Sequence, residues 1–502
     1  MTQPEIRSLV IAGGGAAGWM TAAAMVRVFG PRVAITLIES DDIGTIGVGE
    51  ATIPPIALFN KLIKIDENDF LRQTQGTFKL GIEFDGWKRQ GHRYLHAFGT
   101  LGKDLAHIPF HHYWLDAVQN GREADLWAYS LNAQASERNR FDRLDRIPDS
   151  PLPGLVHAFH FDAGLYARYL RRIAEAGGVK RVEGKIVAVD QNGETGDVTA
   201  LRLENGATVA ADFFVDCSGF RGLLINETLK ADFVDFGDLL PCDRAWAVPT
   251  ERTSPLVPYT RSTARKAGWQ WRIPLQHRTG NGHVYASSHM ADAEAADLLM
   301  SSLDGKPLAE PRLVKFQTGY RKTAWSHNVV SIGLASGFIE PLESTAIHLI
   351  QSSIERLILM FPQKTGNNKT RDAFNRLNAA QYEYIKDFIV LHYFANERFG
   401  DPFWDMMRNL DIPSSLAEKL ELFKEAGAIF SEPHDLFQLP SWLQVMWGQG
   451  ITPKAHHPFV QTVAPHDRAD YLQSLRQIIA RGWQALPSHA DFVDRHCKAP
   501  SI

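Results

Sequence analysis

The feature that most constrains the fold is a glycine-rich turn near the N-terminus, Gly13 to Gly18, which reads Gly-Gly-Gly-Ala-Ala-Gly. It follows an apolar run from Ser8 to Ala12 and precedes an alanine-rich apolar run from Trp19 to Val28. The first run predicts a buried parallel strand and the second predicts a helix. A further apolar run, Val33 to Ile38, predicts the next strand, so this region forms the βαβ unit of an α/β domain.

This turn satisfies the pattern G-x-G-x-x-G. Glycines in that pattern permit the tight turn, let the backbone approach a pyrophosphate and let the helix pack on its strand, while the helix N-terminus attracts the phosphates. Glu39, at the end of the second strand, can accept a hydrogen bond from a ribose hydroxyl and disfavours a 2′-phosphate. We therefore predict a dinucleotide site, with FAD and NAD equally compatible on this motif. Its residues are Gly13, Gly15, Ala16, Ala17, Gly18 and Glu39.

Composition limits the partners of this chain. Its 502 residues, 44% of them hydrophobic, are enough for two or three domains. With 53 basic and 57 acidic residues the formal charge is -4, so we expect small-molecule partners and neither nucleic acid nor a membrane surface. Three scattered cysteines and the lack of an apolar run of membrane-spanning length favour a cytoplasmic protein.

The middle of the chain predicts a sheet inserted into the α/β domain. Asp162 to Ala176 has helical periodicity, and three apolar segments with Asn-Gly turns between them follow it, which is typical of an antiparallel meander. We place these strands at Val182 to Asp190, Val198 to Leu203 and Ala207 to Val215. Val329 to Gly333 predicts the last strand of the nucleotide-binding sheet.

Helical periodicity dominates after Thr365. We expect one helix from about Ser344 and longer helices at Arg371 to Glu397, Ser414 to Ala426 and His466 to Ala485. The chain therefore divides into an α/β part, residues 1–365, and a mostly helical part, residues 366–502.

Four further segments, together with the glycine-rich turn, resemble the motifs of the flavin-dependent halogenases, the family that includes the tryptophan halogenases. They are Gly47-Val48-Gly49-Glu50-Ala51-Thr52-Ile53-Pro54, Phe78-Lys79-Leu80-Gly81, Trp269-Gln270-Trp271-Arg272-Ile273-Pro274 and Glu340-Pro341-Leu342-Glu343-Ser344-Thr345. The W-x-W-x-I-P segment is the most specific of them. The resemblance implies a glutathione-reductase-like or p-hydroxybenzoate-hydroxylase-like FAD-binding domain with an inserted antiparallel sheet at 1–365, and a mostly helical, substrate-side domain at 366–502.

The resemblance also implies the reaction. A halogenase of this family uses reduced FAD, oxygen and bromide or chloride to make hypohalous acid, HOX, which halogenates an electron-rich aromatic ring. No second G-x-G-x-x-G follows a later strand, so we expect a separate NAD(P)H-dependent flavin reductase to supply the reduced FAD. A homodimer is left open.

Two residues carry the chemistry in this comparison. Lys79 stands where the family has its catalytic lysine, whose ammonium can polarise HOX or whose neutral amine can form an N-haloamine. Composition alone would favour a surface lysine on a half-buried strand. Glu343 matches the second active-site residue, a carboxylate that can orient HOX and act as a general base. The alternative is that Glu343, Ser344 and Thr345 cap a helix.

Other motif positions are assigned by the same resemblance. Thr345 and Ala346 lie at the expected halide site, where unpaired amides at a helix start attract anions, although the family usually has glycine at position 346. Trp269 and Trp271 are expected to shield the flavin from organic substrate, the alternative being core packing on one face of a strand.

The remaining cofactor positions lie in two segments. Gly44 to Thr52 resembles the strap between the cofactor and substrate sites, and from it we assign Gly49 and Ala51 to cofactor binding. Leu334 replaces a polar residue of the family, so we keep it beside the cofactor and assign it no ribityl contact.

The substrate side differs from that of the tryptophan halogenases. His96 and Phe98 match residues that stack on the indole, the alternative being a hairpin with core aromatics. The segment Ser441 to Trp447 lacks the tyrosine pair and the carboxylate that anchor free tryptophan in that family. We therefore predict that indole or an indole-bearing molecule is preferred. His107, His111 and His112 lack metal-binding spacing, so no metal is assigned.

Two other functions remain open. A flavin monooxygenase would use the same nucleotide fold and place its aromatic substrate beside the flavin, where the two tryptophans stand in the way. A catalytically silent FAD-binding module would have no use for Lys79 and Glu343.

Overall fold

The structure is a computed structural model that describes residues 6–42, 49–123, 125–362, 368–432 and 435–501. Its strands in the described residues are β1 (Ser8–Ala12), β2 (Ala34–Glu39), β3 (Gly49–Ala51), β4 (Thr77–Lys79), β5 (Gly81–Asp85), β6 (Arg93–Ala97), β7 (Ala158–Asp162), β8 (Lys180–Glu183), β9 (Ile186–Gln191), β10 (Val198–Leu203), β11 (Thr208–Ala210), β12 (Phe213–Asp216), β13 (Phe233–Asp235), β14 (Arg244–Glu251), β15 (Thr260–Arg265), β16 (Gly268–Pro274), β17 (Arg278–Tyr285), β18 (Arg312–Lys315), β19 (Gly319–Arg321), β20 (Trp325–Ser326), β21 (Val329–Ser331) and β22 (Gly337–Phe338).

The α-helices are α1 (Ala16–Phe29), α2 (Ile56–Leu62), α3 (Glu67–Gln73), α4 (Phe110–Gln119), α5 (Leu131–Glu137), α6 (Ala163–Ala176), α7 (Asp292–Ser301), α8 (Ala346–Leu359), α9 (Asn368–Phe394), α10 (Pro402–Arg408), α11 (Ser414–Ala426), α12 (Leu439–Gly448), α13 (Pro465–Gln484) and α14 (His489–His496). From residue 368 onward, the regular elements of the described chain are all helical. None of the helices in the described ranges combines the length and the apolarity that a membrane crossing requires.

The chain forms two compact units, each built from three segments. Unit 1 consists of Met1–Gly76, Phe161–Asp243 and Lys315–Glu383, and unit 2 consists of Thr77–His160, Arg244–Val314 and Tyr384–Ile502. Segments from both sides of position 365 therefore enter packed units that interleave along the chain. The division at position 365 follows chain order, and as a division of functions it stays a prediction.

Unit 1 is built on a six-stranded sheet with the order β20-β21-β12-β1-β2-β8. All neighbours are parallel except the edge pair β20 and β21. Leu9 to Ala12 of β1 are buried and apolar, as a central strand covered on both faces requires. Helix α1 packs against α6 and α8, and β21 returns to the sheet beside β12, which confirms the predicted last strand.

Two segments predicted as single strands each form two. Val182 to Asp190 splits into β8 and β9, because Gly184, at a φ of 150°, turns the chain from the parallel sheet into the antiparallel sheet β9-β10-β11. Ala207 to Val215 splits into β11 and β12, and between them Asp212 accepts a hydrogen bond from the Ser8 N–H (3.1 Å). Both predictions were wrong because apolar periodicity does not reveal a change of sheet.

Unit 2 is built on a seven-stranded sheet with the order β18-β14-β17-β16-β15-β5-β6. Its strands β14 to β17 form antiparallel pairs, while β15 and β5 are parallel. Strands β5 and β6 form a hairpin, and the short strand β4 pairs antiparallel with β7. This arrangement places Lys79, His96 and the two tryptophans of β16 in the same unit.

Candidate active site

The glycine-rich turn between β1 and α1 is shaped by contacts within unit 1. Gly13 has a φ of 114°, and a Cβ there would lie 2.3 Å from the Cys217 carbonyl oxygen. A Cβ on Gly18 would lie 1.9 Å from the Gly13 carbonyl oxygen. At Gly15, by contrast, an added Cβ would meet no atom within 4 Å in the part of the chain that the structure describes. The outer glycines are thus required by packing, whereas Gly15 keeps the backbone open to a ligand, as a dinucleotide pyrophosphate needs.

Glu39 lies directly against this turn. Gly14 makes the approach possible, because a Cβ there would fall 1.6 Å from Glu39 Oε2. Trp19 Nε1 donates to Oε2 (3.2 Å) and Arg181 Nε donates to Oε1 (2.6 Å), with Arg171 Nη1 at 3.5 Å. The carboxylate is therefore fixed in orientation at the end of β2. The sequence reasoning missed Gly14 and the two arginines, which lie far along the chain.

The segment after β21 also reaches the turn. Gly333 has a φ of 71°, and a Cβ there would lie 2.8 Å from the Cβ of Ala17. Leu334, next in the chain, is half-buried in a 3₁₀ turn, Gly333–Ala335. Leu334 therefore lies next to a residue that approaches the glycine-rich turn, and its place beside a cofactor stays a prediction.

Only part of the predicted strap belongs to the described residues. Residues 43–48, including the motif positions 47 and 48, lie outside them. Gly49 and Ala51 are buried on β3. Between them, burial raises the pKa of the Glu50 carboxyl to about 7 although part of the side chain stays exposed. Glu50 is thus a titratable group near neutral pH that the sequence reasoning left without a role.

Glu343 lies just before α8, and the predicted halide site lies at the start of that helix. Glu343 is buried at the end of a 3₁₀ turn, Pro341–Glu343, and Ser344 follows it with a φ of 59°. This left-handed residue delays the helix to Ala346, two residues later than predicted. Thr345 is fully buried and makes no cap bond to the helix, and its Oγ1 has no hydrogen-bond partner among the described residues. No cap from Thr345 therefore competes with an anion for the first amides of α8.

Lys79 ends the short strand β4 in unit 2. Its side chain is 0% exposed, so the alternative of a surface lysine is wrong. Its Nζ lies 5.3 Å from the ring centroid of Phe98, within the range of a cation–π contact. The structure therefore brings together two of the residues that the motifs nominated separately.

His96 and Phe98 flank the last residue of β6, and both are buried. The intervening Ala97 is held by Gln444 of α12, whose Oε1 accepts from the Ala97 N–H and whose Nε2 donates to the Ala97 carbonyl, both at 3.0 Å. The His96 ring lies 5.6 Å from that of Phe388. The hairpin alternative is thus compatible with the stacking role, and Gln444, which the sequence reasoning missed, holds the backbone between the two rings.

Trp269 and Trp271 lie on one face of β16, with ring centroids 6.2 Å apart. Trp269 also packs 6.3 Å from Trp87, so it contributes to the core. The indole of Trp271 lies against the neighbouring strand β17 at Gly282, where an added Cβ would fall 2.0 Å from Cζ2 of that ring. Gly282 is therefore required for the position of Trp271. Shielding of a flavin by this pair stays a prediction.

We expect Gly282→Ala to displace the Trp271 indole, because two atoms cannot approach to 2.0 Å. Overpacking of this kind destabilises a protein by about 1–3 kcal/mol. Denaturant unfolding and tryptophan fluorescence would measure both effects. Gly193→Ala is the control, since among the described residues its added Cβ would meet no atom within 4 Å. Unchanged stability and fluorescence in Gly282→Ala would contradict this packing.

The grouped histidines do not form a metal site in the described part of the chain. Pro109 precedes α4, so His111 and His112 lie in the first turn of that helix and His107 lies outside it. The described residues contain no group of three or more His, Cys, Asp or Glu side chains that could hold a metal ion.

Buried neutral histidines make the stability of the protein depend on pH. Burial lowers the pKa of His111, His283 and His489 to about 4 and that of His112 to about 3. Between about pH 6.5 and pH 4 the unfolded chain therefore binds protons that the folded chain does not, so stability is lost as the pH falls through this window. Each histidine contributes at most about 1.4 kcal/mol per pH unit within this window. The free energy of unfolding, measured from pH 7.5 to 5, should decrease as the pH falls. In His111→Gln this decrease should be smaller.

Comparison with known proteins gives one consistent result. The sequence model of the family described as tryptophan halogenase matches residues 8–465. A 7-chloro-L-tryptophan 6-halogenase from Kutzneria sp. (strain 744) is 34% identical over 97% of this chain and 99% of its own length. A tryptophan 6-halogenase from Streptomyces albogriseolus is 36% identical over 84% of this chain and 82% of its own.

Solved structures agree with these relatives. A flavin-dependent halogenase from Xanthomonas campestris has 44% identity and a TM-score of 0.96, covering 99% of this chain and 100% of its own. Another from Brevundimonas sp. BAL3 has 44% identity and a TM-score of 0.94 over the same shares.

Proposed function

The chain belongs to the tryptophan halogenase family of flavin-dependent enzymes, and we propose that it uses reduced FAD, oxygen and bromide or chloride to halogenate an indole-type ring. The observation that carries this proposal is the position of Lys79, which is fully buried with its ammonium against the ring of Phe98. The dinucleotide would be held by the open backbone at Gly15 and by the fixed carboxylate of Glu39. A separate NAD(P)H-dependent flavin reductase supplies the reduced FAD.

Reduced FAD, with oxygen and a halide, supplies HOX. The described residues would hold the halide at the first amides of α8, beside Thr345 and Ala346. Overall, HOX and the aromatic substrate give the halogenated ring and water. Lys79 either polarises HOX through its ammonium or, as the neutral amine, takes the halogen from HOX, releases water and passes the halogen to the ring. Glu343 accepts the proton that the ring carbon loses.

Helix α12 is the one expected to face the side chain of the substrate. Its residues support indole rather than free tryptophan as the substrate. In α12, Gln444 is occupied by the backbone of Ala97, and Trp442 Nε1 donates to the Phe437 carbonyl (3.0 Å). Trp447 packs against Trp114, with ring centroids 4.6 Å apart. None of these three side chains is a carboxylate, so an ammonium has no counter-charge among them.

The substrate prediction is tested with four compounds under identical conditions. We expect kcat/KM for indole to exceed that for tryptophan by at least about 10-fold, or about 1.4 kcal/mol of transition-state binding. Tryptamine and indole-3-propionate separate the effects of the ammonium and the carboxylate. A preference for tryptophan would contradict the assignment of indole as the substrate, but it would not contradict the proposed halogenation reaction.

The reaction is tested with purified protein, FAD, a flavin reductase, NADH, oxygen, bromide or chloride, and indole. Mass spectrometry should detect halogenated indole with the isotope pattern of the added halide. A hydroxylated product would favour a monooxygenase instead. FAD binding without HOX or product would indicate a catalytically silent module.

A further inference from the structure

Two buried histidines hold the strand that carries Lys79, and the proposed reaction uses neither of them. His489, in the first turn of α14, accepts at Nε2 from the Phe78 backbone N–H (3.2 Å) and donates from Nδ1 to the Leu256 carbonyl (3.0 Å). Because an N–H only donates and a carbonyl only accepts, these partners fix a single tautomer. Burial lowers the pKa of His489 to about 4, so the ring is neutral near pH 7.

The second histidine, His160 of β7, holds the flank of the same strand. The Thr77 hydroxyl donates to the Pro274 carbonyl (2.7 Å), so its oxygen accepts from Nδ1–H of His160 (3.0 Å). Nε2 of the neutral ring then accepts from the Thr260 hydroxyl (2.9 Å). Burial, followed by the charge of Lys79, holds the pKa of His160 well below its ordinary value. This series of hydrogen bonds connects β4 to the end of β16, the strand that carries the two tryptophans.

The opposite face of β4 is held in place by aromatic packing. Side chains alternate along a strand, so Thr77 and Lys79 share one face and Phe78 lies on the other. The Phe78 ring stacks on Phe141 at 3.9 Å and meets Phe492 of α14 edge-on at 5.5 Å. With only three residues in β4, these contacts and the two histidines determine where the Lys79 backbone lies.

We propose that His489 is a positioning residue for Lys79, an inference that rests on the function proposed above. By holding the Phe78 N–H, His489 sets the place at which the lysine meets HOX. It thereby controls the share of HOX that reaches the substrate rather than escaping to water. A displacement of about 1 Å in a catalytic group can cost about 100-fold in rate.

Two variants separate the two hydrogen bonds of His489. In His489→Gln, Oε1 lies near the place of the imidazole Nε2 and still accepts from the Phe78 N–H. In His489→Asn, Nδ2 lies near the place of Nδ1 and donates to Leu256, while the Phe78 N–H loses its partner. His466→Gln replaces an exposed histidine in the first turn of another helix of the same unit, α13, and is the matched control.

The first readout is product formed and HOX trapped per flavin oxidised, measured on FAD-loaded protein. We expect His489→Asn to lower the product share about 10-fold, with trapped HOX rising in compensation, while His489→Gln and His466→Gln stay near the parent value. Equal product shares in all variants would overturn the proposal. So would equal losses in Gln and Asn that follow the loss of thermal stability, because a purely structural role predicts them.

The second readout needs no turnover. Lys79 is fully buried, so acylation by an amine-reactive ester, followed by peptide mass spectrometry, should be slow in the parent and several-fold faster in His489→Asn alone. Amide exchange at Phe78 in the unsubstituted protein should also be slow, and exchange at the rate of an exposed amide would refute the contact. If the parent makes neither HOX nor product, the proposed function fails, while labelling and exchange still decide the role of His489.

Discussion

We expect Lys79→Met to abolish the halogenated product, lowering kcat/KM for indole by at least about 10³-fold, within the range for loss of a positioned catalytic group. Methionine has a similar length and can still lie against Phe98, but it offers neither an ammonium nor an amine. HOX formation, FAD affinity and thermal stability should persist, because methionine keeps the packing against Phe98 and the substitution changes no residue of the dinucleotide turn. Product is measured by mass spectrometry, HOX by a chemical trap and FAD binding by fluorescence titration.

A second substitution distinguishes the two roles of the lysine. Lys79→Arg keeps a cationic hydrogen-bond donor but has no neutral amine near pH 7. Residual product in Lys79→Arg would favour polarisation of HOX, whereas complete loss would favour the N-haloamine. Lys103→Met, at an exposed lysine of the same unit, is the control. Unchanged product in Lys79→Met would refute the catalytic assignment.

Local patterns predicted the fold where the chain follows one regular element. The strand Ser8–Ala12 and the helix Ser414–Ala426 have the predicted bounds, because apolar periodicity and flanking breakers are local signals. The resemblance to flavin-dependent halogenases, and with it the FAD-binding fold class, is confirmed by the family match and by the solved structures.

Local patterns failed where a distant partner decides the conformation. Gly184 and Asp212 mark changes of sheet, and neither breaks the apolar alternation around it. Ser344 is left-handed, so the helix begins after the residue that looked like its cap. The deviations at Gly184 and Asp212 depend on tertiary contacts, with Glu39 and Ser8, that override local propensity.

The same limit applies to the candidate site. Motifs nominated Lys79, His96 and Phe98, but not the side chains that hold them. Gln444 is 347 positions from Ala97, and His489 is 411 positions from Phe78. A single sequence carries no signal that pairs a glutamine or a histidine with a backbone group so far away.

Substitutions at two glycines of the glycine-rich turn should separate effects on folding from effects on cofactor binding. We expect Gly15→Ala to keep the stability of the parent, since the added Cβ would meet no atom of the described residues within 4 Å, and to weaken FAD binding by about 10- to 100-fold. The methyl group would occupy the space through which the backbone approaches the pyrophosphate. FAD affinity is measured by fluorescence titration and stability by denaturant unfolding without added FAD.

Gly18→Ala should behave in the opposite way. Its Cβ would lie 1.9 Å from the Gly13 carbonyl oxygen, so α1 must shift away from the turn, at a cost of about 3 kcal/mol or more in unfolding free energy. FAD binding then falls as a consequence of the displaced helix. If Gly15→Ala bound FAD with parental affinity, the pyrophosphate would not approach this turn, and the dinucleotide assignment of Gly13 to Gly18 would be wrong. Because Gly15→Ala leaves the β4 strand of Lys79 untouched, HOX formation in that variant should recover at saturating FAD, and product should recover in the same proportion.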